Sequence, residues 1–582
     1  MTRVILKLVV VACILSFTTG LSAKEAQGPI VNFENRFIPD GYQNGMVVAA
    51  EALAAEVGRD VLRRGGNAVD AAVATGFALA VTYPSAGNLA GGGFMLIDVD
   101  GQRRFIDYRE MAPRASFRDM YLKEDGSVDR AIAYTSRQSA GVPGTVAGLI
   151  YALDKYGSMS LSDVIQPAIQ LALKGIPVSQ ALAGSISRRG SYAPWVDAEA
   201  KRIYFRSDGS HLQEGDQLIQ KDLAWTLKQI KKGGNAAFYE GKVADRIVKD
   251  MQENDGLITH EDLADYKVVE RTPLSGTFLG YEILSAPPPS SGGVHILQML
   301  NVLEHADLPA MGHNSAAYIH IVAEAMKHAY ADRSRYLGDP DFFAVPVAEL
   351  TSKAYGRRIY AAIDPKRATP SKDIAPGAHL PDESRDTTHF SVVDRDGNAV
   401  SNTYTLNFSY GSGIVAKGTG MLLNNEMADF SARPGHLNPF GLLGEKANAI
   451  EPGKRPLSSM SPTIVYKKGS PWLVTGSPGG SLIITSVLQI ILNTTVFDYN
   501  VATAAAEPRF HHQWLPETLR IEQGVSKDTL SLLTAMGYKL NVGKRTMGRT
   551  QSIMISEEFK AGTGYLFGAS DTRRPQGAVR GY

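Results

Sequence analysis

The chain has 582 residues and a formal net charge of +1. This length favours two domains, or one large domain with extensions, over one ordinary core. The hydrophobic content of 44% and the charged content of 20% are typical of a soluble globular protein. A net charge so close to zero gives no indication of a nucleic acid or an acidic polymer as partner.

Residues 1–23 have the features of a secretory signal peptide. Basic residues precede or enter an apolar stretch, and small residues at 22–23 offer a cleavage point. A membrane anchor is the alternative, but the stretch is shorter than the ~20 apolar residues of a span and is interrupted by Lys7. A lipoprotein site at Cys13 is less favoured because the apolar run continues beyond it. We therefore predict a periplasmic or secreted protein without a membrane anchor, whose mature form lacks the only cysteine.

The first half of the chain is mostly helical in its pattern. Residues 46–81 predict two helices, with the glycine pair 65–66 between them and Asn67 as the N-cap of the second. Residues 91–110 predict a β-hairpin that turns at an Asp-Gly pair. Residues 314–337 give the clearest helical pattern of the region that follows.

The second half begins with a change in composition. Residues 364–386 are rich in proline and mixed charges, which is typical of a linker or an exposed loop. Strands follow from residue 388, with a returning strand at 399–407 and a second hairpin at 461–476. Residues 481–494 predict a helix. Helices that flank an antiparallel core predict a layered α+β fold of the αββα kind.

Two threonines, Thr387 and Thr388, lie where the loose segment meets the first of these strands. A hydroxyl is a weak nucleophile unless a base accepts its proton, and the usual base is a histidine held by a carboxylate. A chain cut just before a threonine offers a second base, because the released α-amine has a pKa of about 7.7–8.0. The alternative is that both are ordinary β-branched strand residues, and the layout alone favours that interpretation.

General motifs for cofactors are weak or missing in this sequence. It contains neither a phosphate-binding P-loop nor a G-x-S-x-G elbow. His320, Glu324 and His328 share a helix face and could ligate a metal, but a structural role for them is favoured.

Five long stretches together resemble one family. The chain is similar, from about residue 40 to its end, to the γ-glutamyltranspeptidases of the N-terminal-nucleophile (Ntn) hydrolase superfamily. The stretches are DYREMAP (107–113), TTHFSVVDRDGNAVSNTYTLN (387–407), RPLSSMSPT (455–463), TGSPGG (475–480) and PRFHHQWLP (508–516). The resemblance implies a four-layer αββα sandwich of the Ntn-hydrolase type, with additional helices from the larger fragment.

The resemblance also implies that the chain cuts itself between Asp386 and Thr387. After signal removal this would give a large subunit, 24–386, which ends in the exposed linker 364–386, and a small catalytic subunit, 387–582. The two fragments would remain together as a heterodimer, and no metal or organic cofactor would be required.

Roles for individual residues follow from the same resemblance. Thr387 would be the nucleophile, Thr405 would hydrogen-bond near it, and the backbone N–H groups of Gly479 and Gly480 would stabilise the oxyanion. The zwitterionic head group of the donor would be held by charged and polar side chains. The α-carboxylate would contact Arg109, Ser458 and Ser459, and the α-ammonium would contact Asn407, Glu426 and Asp429.

Two positions depart from the family pattern. Glu426 stands where close bacterial relatives often have glutamine, which adds a charge to the ammonium end. Phe440, in the loop 434–445 that would cover the site, stands where a tyrosine is frequent, so we expect a more mobile lid and more hydrolysis relative to transfer.

The function implied is a γ-glutamyltransferase and glutathione hydrolase. It would pass the γ-glutamyl group of glutathione and related donors, through an acyl-enzyme on Thr387, to amino acids, peptides or water. Two alternatives remain open. One is a cephalosporin-type (glutaryl) acylase of the same superfamily, and the other is a non-catalytic exported binding protein that kept the fold.

Overall fold

The computed structural model describes residues 37–192, 195, 197–374, 387–433, 436–437, 443–444, 446–573 and 576–582. Its strands, in chain order, are β1 Asp40–Tyr42, β2 Met46–Ala49, β3 Gly92–Val99, β4 Gln102–Tyr108, β5 Ile176–Pro177, β6 Gln217–Leu218, β7 Val269–Arg271, β8 Leu274–Phe278, β9 Tyr281–Ser285, β10 Thr387–Val393, β11 Ala399–Thr405, β12 His436–Leu437, β13 Leu443–Gly444, β14 Thr463–Lys467, β15 Ser470–Gly476, β16 Phe510–His511, β17 Leu519–Glu522, β18 Leu540–Gly543, β19 Gln551–Ile555, β20 Leu566–Ser570 and β21 Ala578–Gly581.

The α-helices connect and cover these strands. In chain order they are α1 Ala52–Arg63, α2 Ala68–Thr82, α3 Arg130–Thr135, α4 Thr145–Tyr156, α5 Leu161–Lys174, α6 Gln180–Tyr192, α7 Ala198–Tyr204, α8 Lys221–Tyr239, α9 Lys242–Glu253, α10 His260–Ala264, α11 Gly292–Leu303, α12 Leu308–Met311, α13 Ala316–Tyr336, α14 Val347–Leu350, α15 Lys353–Ala362, α16 Ser371–Ile374, α17 Leu482–Thr495, α18 Val501–Ala506 and α19 Lys527–Ala535. Short 3₁₀ turns lie at Arg137–Ser139, Glu426–Asp429, Lys446–Asn448 and Phe559–Ala561. Among the described residues, no helix is both long and apolar enough to cross a bilayer.

Two antiparallel sheets of seven strands form the centre of the molecule. The first sheet has the order β21-β2-β10-β11-β3-β4-β7, and the second sheet has the order β1-β20-β19-β15-β14-β9-β8. They face each other through β10 and β11 on one side and β15 and β19 on the other. Hydroxyl groups bridge the layers, since Ser391 donates to the carbonyl of Gln551 and Ser401 donates to the carbonyl of Thr475.

Alternation along the strands separates the two apolar cores. Phe94 and Leu96 of β3 pack into the core shared with the second sheet and with α11, α13 and α17. Met95 and Ile97 point the other way, into the core formed with α1, α2, α4 and α5. This period of two is that of a strand buried on both faces. The layers are therefore helices, sheet, sheet and helices, and the predicted α+β sandwich is confirmed.

Both sheets contain strands from before and after residue 387. In the first sheet, β10 lies between β2 and β11, and β11 pairs in turn with β3. In the second sheet, β14 pairs with β9 and β20 pairs with β1. A cut before β10 would thus leave two fragments that both contribute strands to each large sheet.

Most predicted elements are present, with one clear error. The helix predicted to start at Met46 is wrong for its first four residues, because Met46–Ala49 is a buried strand that pairs with β10 and β21. The next helix is as expected: Asn67 Oδ1 accepts from Val69 N–H (2.9 Å) and Asp70 N–H (3.0 Å), and Asp70 accepts in return from Asn67 N–H. Ala316–Tyr336 confirms the clearest helical pattern.

The proline-rich segment before the second half is only partly exposed. Its first residues are largely exposed, but Ser371 is buried and exchanges hydrogen bonds with Trp514, donating to its carbonyl (2.7 Å) and accepting from its indole N–H (2.7 Å). Ser371 therefore departs from the linker or exposed loop that we expect over 364–386. Residues 375–386 lie outside the described part of the chain.

Candidate active site

One cavity of about 350 Å³ lies at the start of β10. It collects nine of the ten predicted catalytic and head-group residues, and Gly479 precedes one of them in the chain. The cavity is lined by Arg109, Arg333, Thr387, Thr405, Asn407, Glu426, Asp429, Ser458, Ser459, Met460, Gly480, Ser481 and Ile483. We call the part formed by Thr387, Thr405 and Gly480 the nucleophile end, and the part formed by Arg109, Glu426 and Asp429 the head-group end.

Strand alternation selects one of the two threonines. Thr387 is the first residue of β10, pairs with Thr405 of β11, and lines the cavity. Thr388 points to the opposite face of the sheet, where Phe390 and Val392 pack against helices. Its hydroxyl is buried without a hydrogen-bond partner. Only Thr387 therefore presents its hydroxyl to the cavity.

The hydroxyl of Thr405 is oriented by its own loop. Its oxygen accepts a hydrogen bond from Asn407 N–H (2.9 Å), so the hydroxyl proton is directed elsewhere. Asn407 adopts a left-handed φ of 73°, a conformation that is rare outside glycine and frequent at functional sites. Asn88 supports the same strand end, because its amide donates to the carbonyl of Thr405 (2.9 Å).

No histidine is among the described residues that line the cavity. The nearest along the strand, His389, is fully buried with both ring nitrogens engaged, Nδ1 with Thr403 Oγ1 (2.8 Å) and Nε2 with Ser391 Oγ (3.1 Å). Burial lowers the pKa of His389 to about 3, so the ring is neutral. A histidine base of the usual kind is thus not offered to Thr387 by this part of the chain.

The glycine pair begins a helix at the nucleophile end. Gly479 and Gly480 have φ values of 137° and 57°, both in the region that favours glycine. Their carbonyls accept from Leu482 and Ile483 in the first turn of α17. The N-terminal end of a helix carries partial positive charge and favours an anion. This end can therefore stabilise negative charge without a charged side chain.

Charge is concentrated at the head-group end. Arg109 is 1% exposed and contacts three carboxylates: Glu426 in a very short ion pair, Asp429 at 2.5 Å, and Glu110 at 3.5 Å. Tyr266 holds the backbone in place by donating to the carbonyl of Arg109 (2.9 Å). Burial opposes the charge of Arg109, but the carboxylates outweigh it and raise the pKa of the guanidinium.

The carboxylates of this end are incompletely satisfied. Glu426 Oε2, Asp429 Oδ1 and both oxygens of Glu110 are buried without a hydrogen bond. Burial raises the pKa of Glu110 to about 7, while Arg109 opposes that shift. Burial also raises the pKa of Glu426, again against Arg109. The three acids cannot all be ionised beside a single guanidinium without an excess of negative charge, so this arrangement suits an additional cation.

Ser458 and Ser459 also line the cavity. Ser458 Oγ accepts from Met460 N–H (3.1 Å), and Ser459 Oγ accepts from Arg333 Nη2 (3.2 Å). Because each oxygen already accepts a hydrogen bond, each hydroxyl proton can be donated to a ligand. Arg333 was missed from the sequence, since its position in the last turn of a helix is typical of a residue that complements the helix dipole.

The hydrogen bonds of His320 argue against a metal site on this helix face. His320 Nδ1 contacts the Tyr538 hydroxyl (2.9 Å) and His320 Nε2 contacts the carbonyl of Asp364 (2.8 Å), while Glu324 pairs with Lys327. Within the described ranges, no group of three potential ligands could hold a metal ion. Asp386 of the predicted cleavage site and Phe440 of the predicted lid lie outside those ranges.

Comparisons with known proteins agree with this geometry. The model of the family described as Gamma-glutamyltranspeptidase matches residues 54–581 of this chain. The chain is 52% identical to the glutathione hydrolase proenzyme of Escherichia coli strain K12 over 99% of both chains.

Solved structures of two enzymes have folds similar to that of this chain. The fold is similar to a cephalosporin acylase from Bacillus halodurans, with a TM-score of 0.82 and 27% identity over 96% of this chain and 99% of that one. It is also similar to Helicobacter pylori gamma-glutamyltranspeptidase, with a TM-score of 0.57 and 46% identity over 60% of this chain and 97% of that one. The resemblance inferred from the five motifs is confirmed, and the chain belongs to the gamma-glutamyltranspeptidase family.

Proposed function

We propose that this protein is a self-processing γ-glutamyltransferase and glutathione hydrolase in which Thr387 is the nucleophile. The observation that carries the proposal is the pairing of two features in one cavity. A threonine that opens a strand has no histidine beside it among the described lining residues, and the other end of the cavity holds both signs of charge. The first feature fits an N-terminal nucleophile, and the second fits a zwitterionic γ-glutamyl group.

Self-cleavage uses the same hydroxyl as catalysis. Thr387 Oγ attacks the carbonyl carbon of Asp386, the bond from that carbon to the Thr387 nitrogen breaks, and the nitrogen takes up the hydroxyl proton. Water then hydrolyses the resulting ester and leaves fragments 24–386 and 387–582. The free α-amine, with an ordinary pKa of about 7.7–8.0, becomes the base for the next attack.

Turnover follows with a γ-glutamyl amide as substrate. The amine accepts the proton of Thr387 Oγ as this oxygen attacks the γ-carbonyl, and the leaving amine departs with a proton. Thr405 supports the nucleophile, and Gly479 and Gly480 donate N–H groups to the oxyanion, each worth on the order of 3 kcal/mol. An amino acid, a peptide or water then accepts the γ-glutamyl group.

The head-group end selects the donor. Its α-carboxylate competes with Glu426 and Asp429 for Arg109 and accepts from the hydroxyls of Ser458 and Ser459. Its α-ammonium takes the place of Arg109 beside those acids, with Asn407 contributing its side-chain amide oxygen. The unsatisfied oxygens of Glu426 and Asp429 support this exchange, because an ammonium group supplies the missing donors.

The fragments remain together after the cut in this proposal. Each large sheet contains strands from both sides of Thr387, so separation would expose both cores. We also propose that residues 1–23 direct export, which places the mature heterodimer in the periplasm or the medium.

Mass spectrometry of the purified protein tests this proposal. We expect two masses, those of 24–386 and 387–582, together with turnover of a γ-glutamyl anilide. Turnover by a protein that remains one uncut chain would contradict the mechanism. One stable uncut chain without turnover would instead favour a binding protein.

A glutaryl acylase is the second candidate because of the similarity to the Bacillus halodurans enzyme. A glutaryl group has the carboxylate but lacks the α-ammonium, and would leave Glu426 and Asp429 without their cation. Comparison of γ-glutamyl and glutaryl anilides discriminates the two. We expect the γ-glutamyl donor to have the higher kcat/KM, and the opposite order would favour the acylase.

A further inference from the structure

Arg333 is a buried cation at the edge of the cavity. It lies on α13, is 5% exposed, and lines the same cavity as Glu426 and Asp429. Its Nε donates to Ser291 Oγ (2.9 Å), and its Nη2 donates to Ser459 Oγ (3.2 Å). Its hydrogen bonds within the described part of the chain thus go to neutral hydroxyls.

The surroundings of Arg333 differ from those of Arg109. Arg109 has three carboxylates within 4 Å, whereas Arg333 has none among the described residues. Burial lowers the pKa of Arg333 to about 10, which still leaves it protonated at neutral pH. A buried charge without a counterion is costly, and such a charge beside a binding cavity is best explained by an anionic ligand group.

Hydrogen-bond chemistry sets the direction of the Ser459 hydroxyl. A guanidinium only donates, so Ser459 Oγ must be the acceptor in its contact with Arg333. The hydroxyl proton is then available on the cavity side. Ser458 Oγ likewise accepts a hydrogen bond, in its case from the N–H of Met460, so its hydroxyl proton is also available to a ligand.

We infer that Arg333 is a positioning residue for the donor's α-carboxylate: it holds Ser459 with its hydroxyl proton facing the cavity and supplies the positive charge that Arg109, already paired with acids, cannot supply alone. This inference rests on the proposed function, because the α-carboxylate belongs to the γ-glutamyl donor. It makes Arg333 and Ser459 one unit, whose hydrogen bonds among the described residues do not include the acids that would receive the ammonium.

The test compares donors that differ only in their head group. Three anilides serve: γ-glutamyl, 4-aminobutyryl, which lacks the α-carboxylate, and glutaryl, which lacks the α-ammonium. Loss of one charge-assisted contact corresponds to about 10- to 100-fold. For Arg333→Gln we expect KM to rise by that factor for the γ-glutamyl and glutaryl donors, with a smaller change in kcat. For 4-aminobutyryl anilide we expect a change of less than about threefold.

The contradictory result is an equal loss on all three donors, which would make Arg333 a structural residue only. Arg335→Gln is the matched control, since it removes the same charge from an exposed position of the same helix. If 4-aminobutyryl turnover is too slow, competitive inhibition by 4-aminobutyrate and by glutamate gives the same comparison. Wild-type protein that turns over no γ-glutamyl donor would overturn the proposed function instead.

Two further variants keep the test decisive if Arg333→Gln fails to mature. Ser459→Ala retains Arg333 and should show the same dependence on the α-carboxylate, and Arg333→Lys should retain part of the affinity because the charge remains. In the double variant of Arg333→Gln with Ser459→Ala, the effects should be less than additive. Independent, additive effects, or equal losses across donors in the single variants, would contradict a common unit.

Discussion

The two ends of the cavity differ in what they are made of. The nucleophile end uses hydroxyls, backbone N–H groups and a helix N-terminus, and carries no charged side chain. The head-group end concentrates a buried guanidinium and several carboxylates within a few ångströms. In the proposed function, the nucleophile end serves a reacting carbonyl whose charge appears only in the transition state, and the head-group end serves a ligand that is charged throughout.

This difference implies that the two ends act on different kinetic constants. Contacts that strengthen only as the oxyanion develops raise kcat, whereas contacts to a charged head group mainly lower KM. Self-cleavage involves no γ-glutamyl head group, so it depends on the nucleophile end alone. Substitutions at each end should therefore separate maturation and kcat from donor affinity.

The largest effect is expected for Thr387→Ala. Without the hydroxyl, neither the attack on residue 386 nor the acyl-enzyme can form, so the protein should remain one chain and lose at least about 10³-fold in activity. Gel electrophoresis and turnover of γ-glutamyl anilide measure both outcomes.

Thr388→Val is the matched control for that variant. Thr388 is the next residue but faces the helices, and its hydroxyl is buried without a partner, so an isosteric apolar side chain should be tolerated. We expect normal cutting and turnover. A Thr388→Val protein that fails to mature, beside a Thr387→Ala protein that is cut, would reverse our assignment of the nucleophile.

An intermediate effect is expected for Asp429→Asn at the head-group end. The amide keeps the shape but removes the charge that the α-ammonium would meet, while Glu426 still pairs with Arg109. We expect normal self-cleavage and a KM for γ-glutamyl anilide about 10- to 100-fold higher.

The glutaryl donor supplies the control for Asp429→Asn, because it has no ammonium group. Its KM should change little or fall, which is the opposite of the pattern expected for Arg333→Gln. An Asp429→Asn enzyme that loses kcat equally on both donors would show that the two ends do not separate.

The sequence identified most of the polar residues of the cavity, but it did not predict the contacts that they make with one another. Four of the five family motifs contain Thr387 and most of the other proposed contacts, whereas Glu426 and Asp429 lie outside all five. Strand alternation then shows why Thr388 is not equivalent to Thr387. The motifs could not reveal that Arg109 is paired with acids, because that depends on how β4 approaches the turn Glu426–Asp429.

Errors in the prediction have physical causes as well. Met46–Ala49 is an apolar run continuous with an alanine-rich helix, and a short apolar run does not distinguish a buried strand from a buried helix. Arg333 lies far along the chain from the motifs and on a helix whose pattern is explained by packing. The role that we propose for Arg333 depends on its burial beside Ser459, which only the assembled layers produce.

The smallest predicted effect concerns Glu110, which lies behind Arg109. It is fully buried, and its pKa of about 7 means that it ionises within the working range. As pH rises through 7, its negative charge helps to balance Arg109, which leaves the neighbouring acids freer to bind an ammonium. The same charge draws Arg109 away from the α-carboxylate, so the two effects partly cancel. We expect KM for γ-glutamyl anilide to fall about threefold between pH 6 and pH 8.

Glu110→Gln should flatten that pH dependence of KM, since it removes the titrating group without changing its size. The pH dependence of kcat should remain, because it belongs to the α-amine of Thr387, whose ordinary pKa is about 7.7–8.0. Measuring both constants across the same pH range therefore assigns one titration to each end of the cavity. If Glu110→Gln instead shifts the pH profile of kcat and leaves KM unchanged, Glu110 acts on the nucleophile. Our inference that the two ends of the cavity act on different kinetic constants would then be wrong.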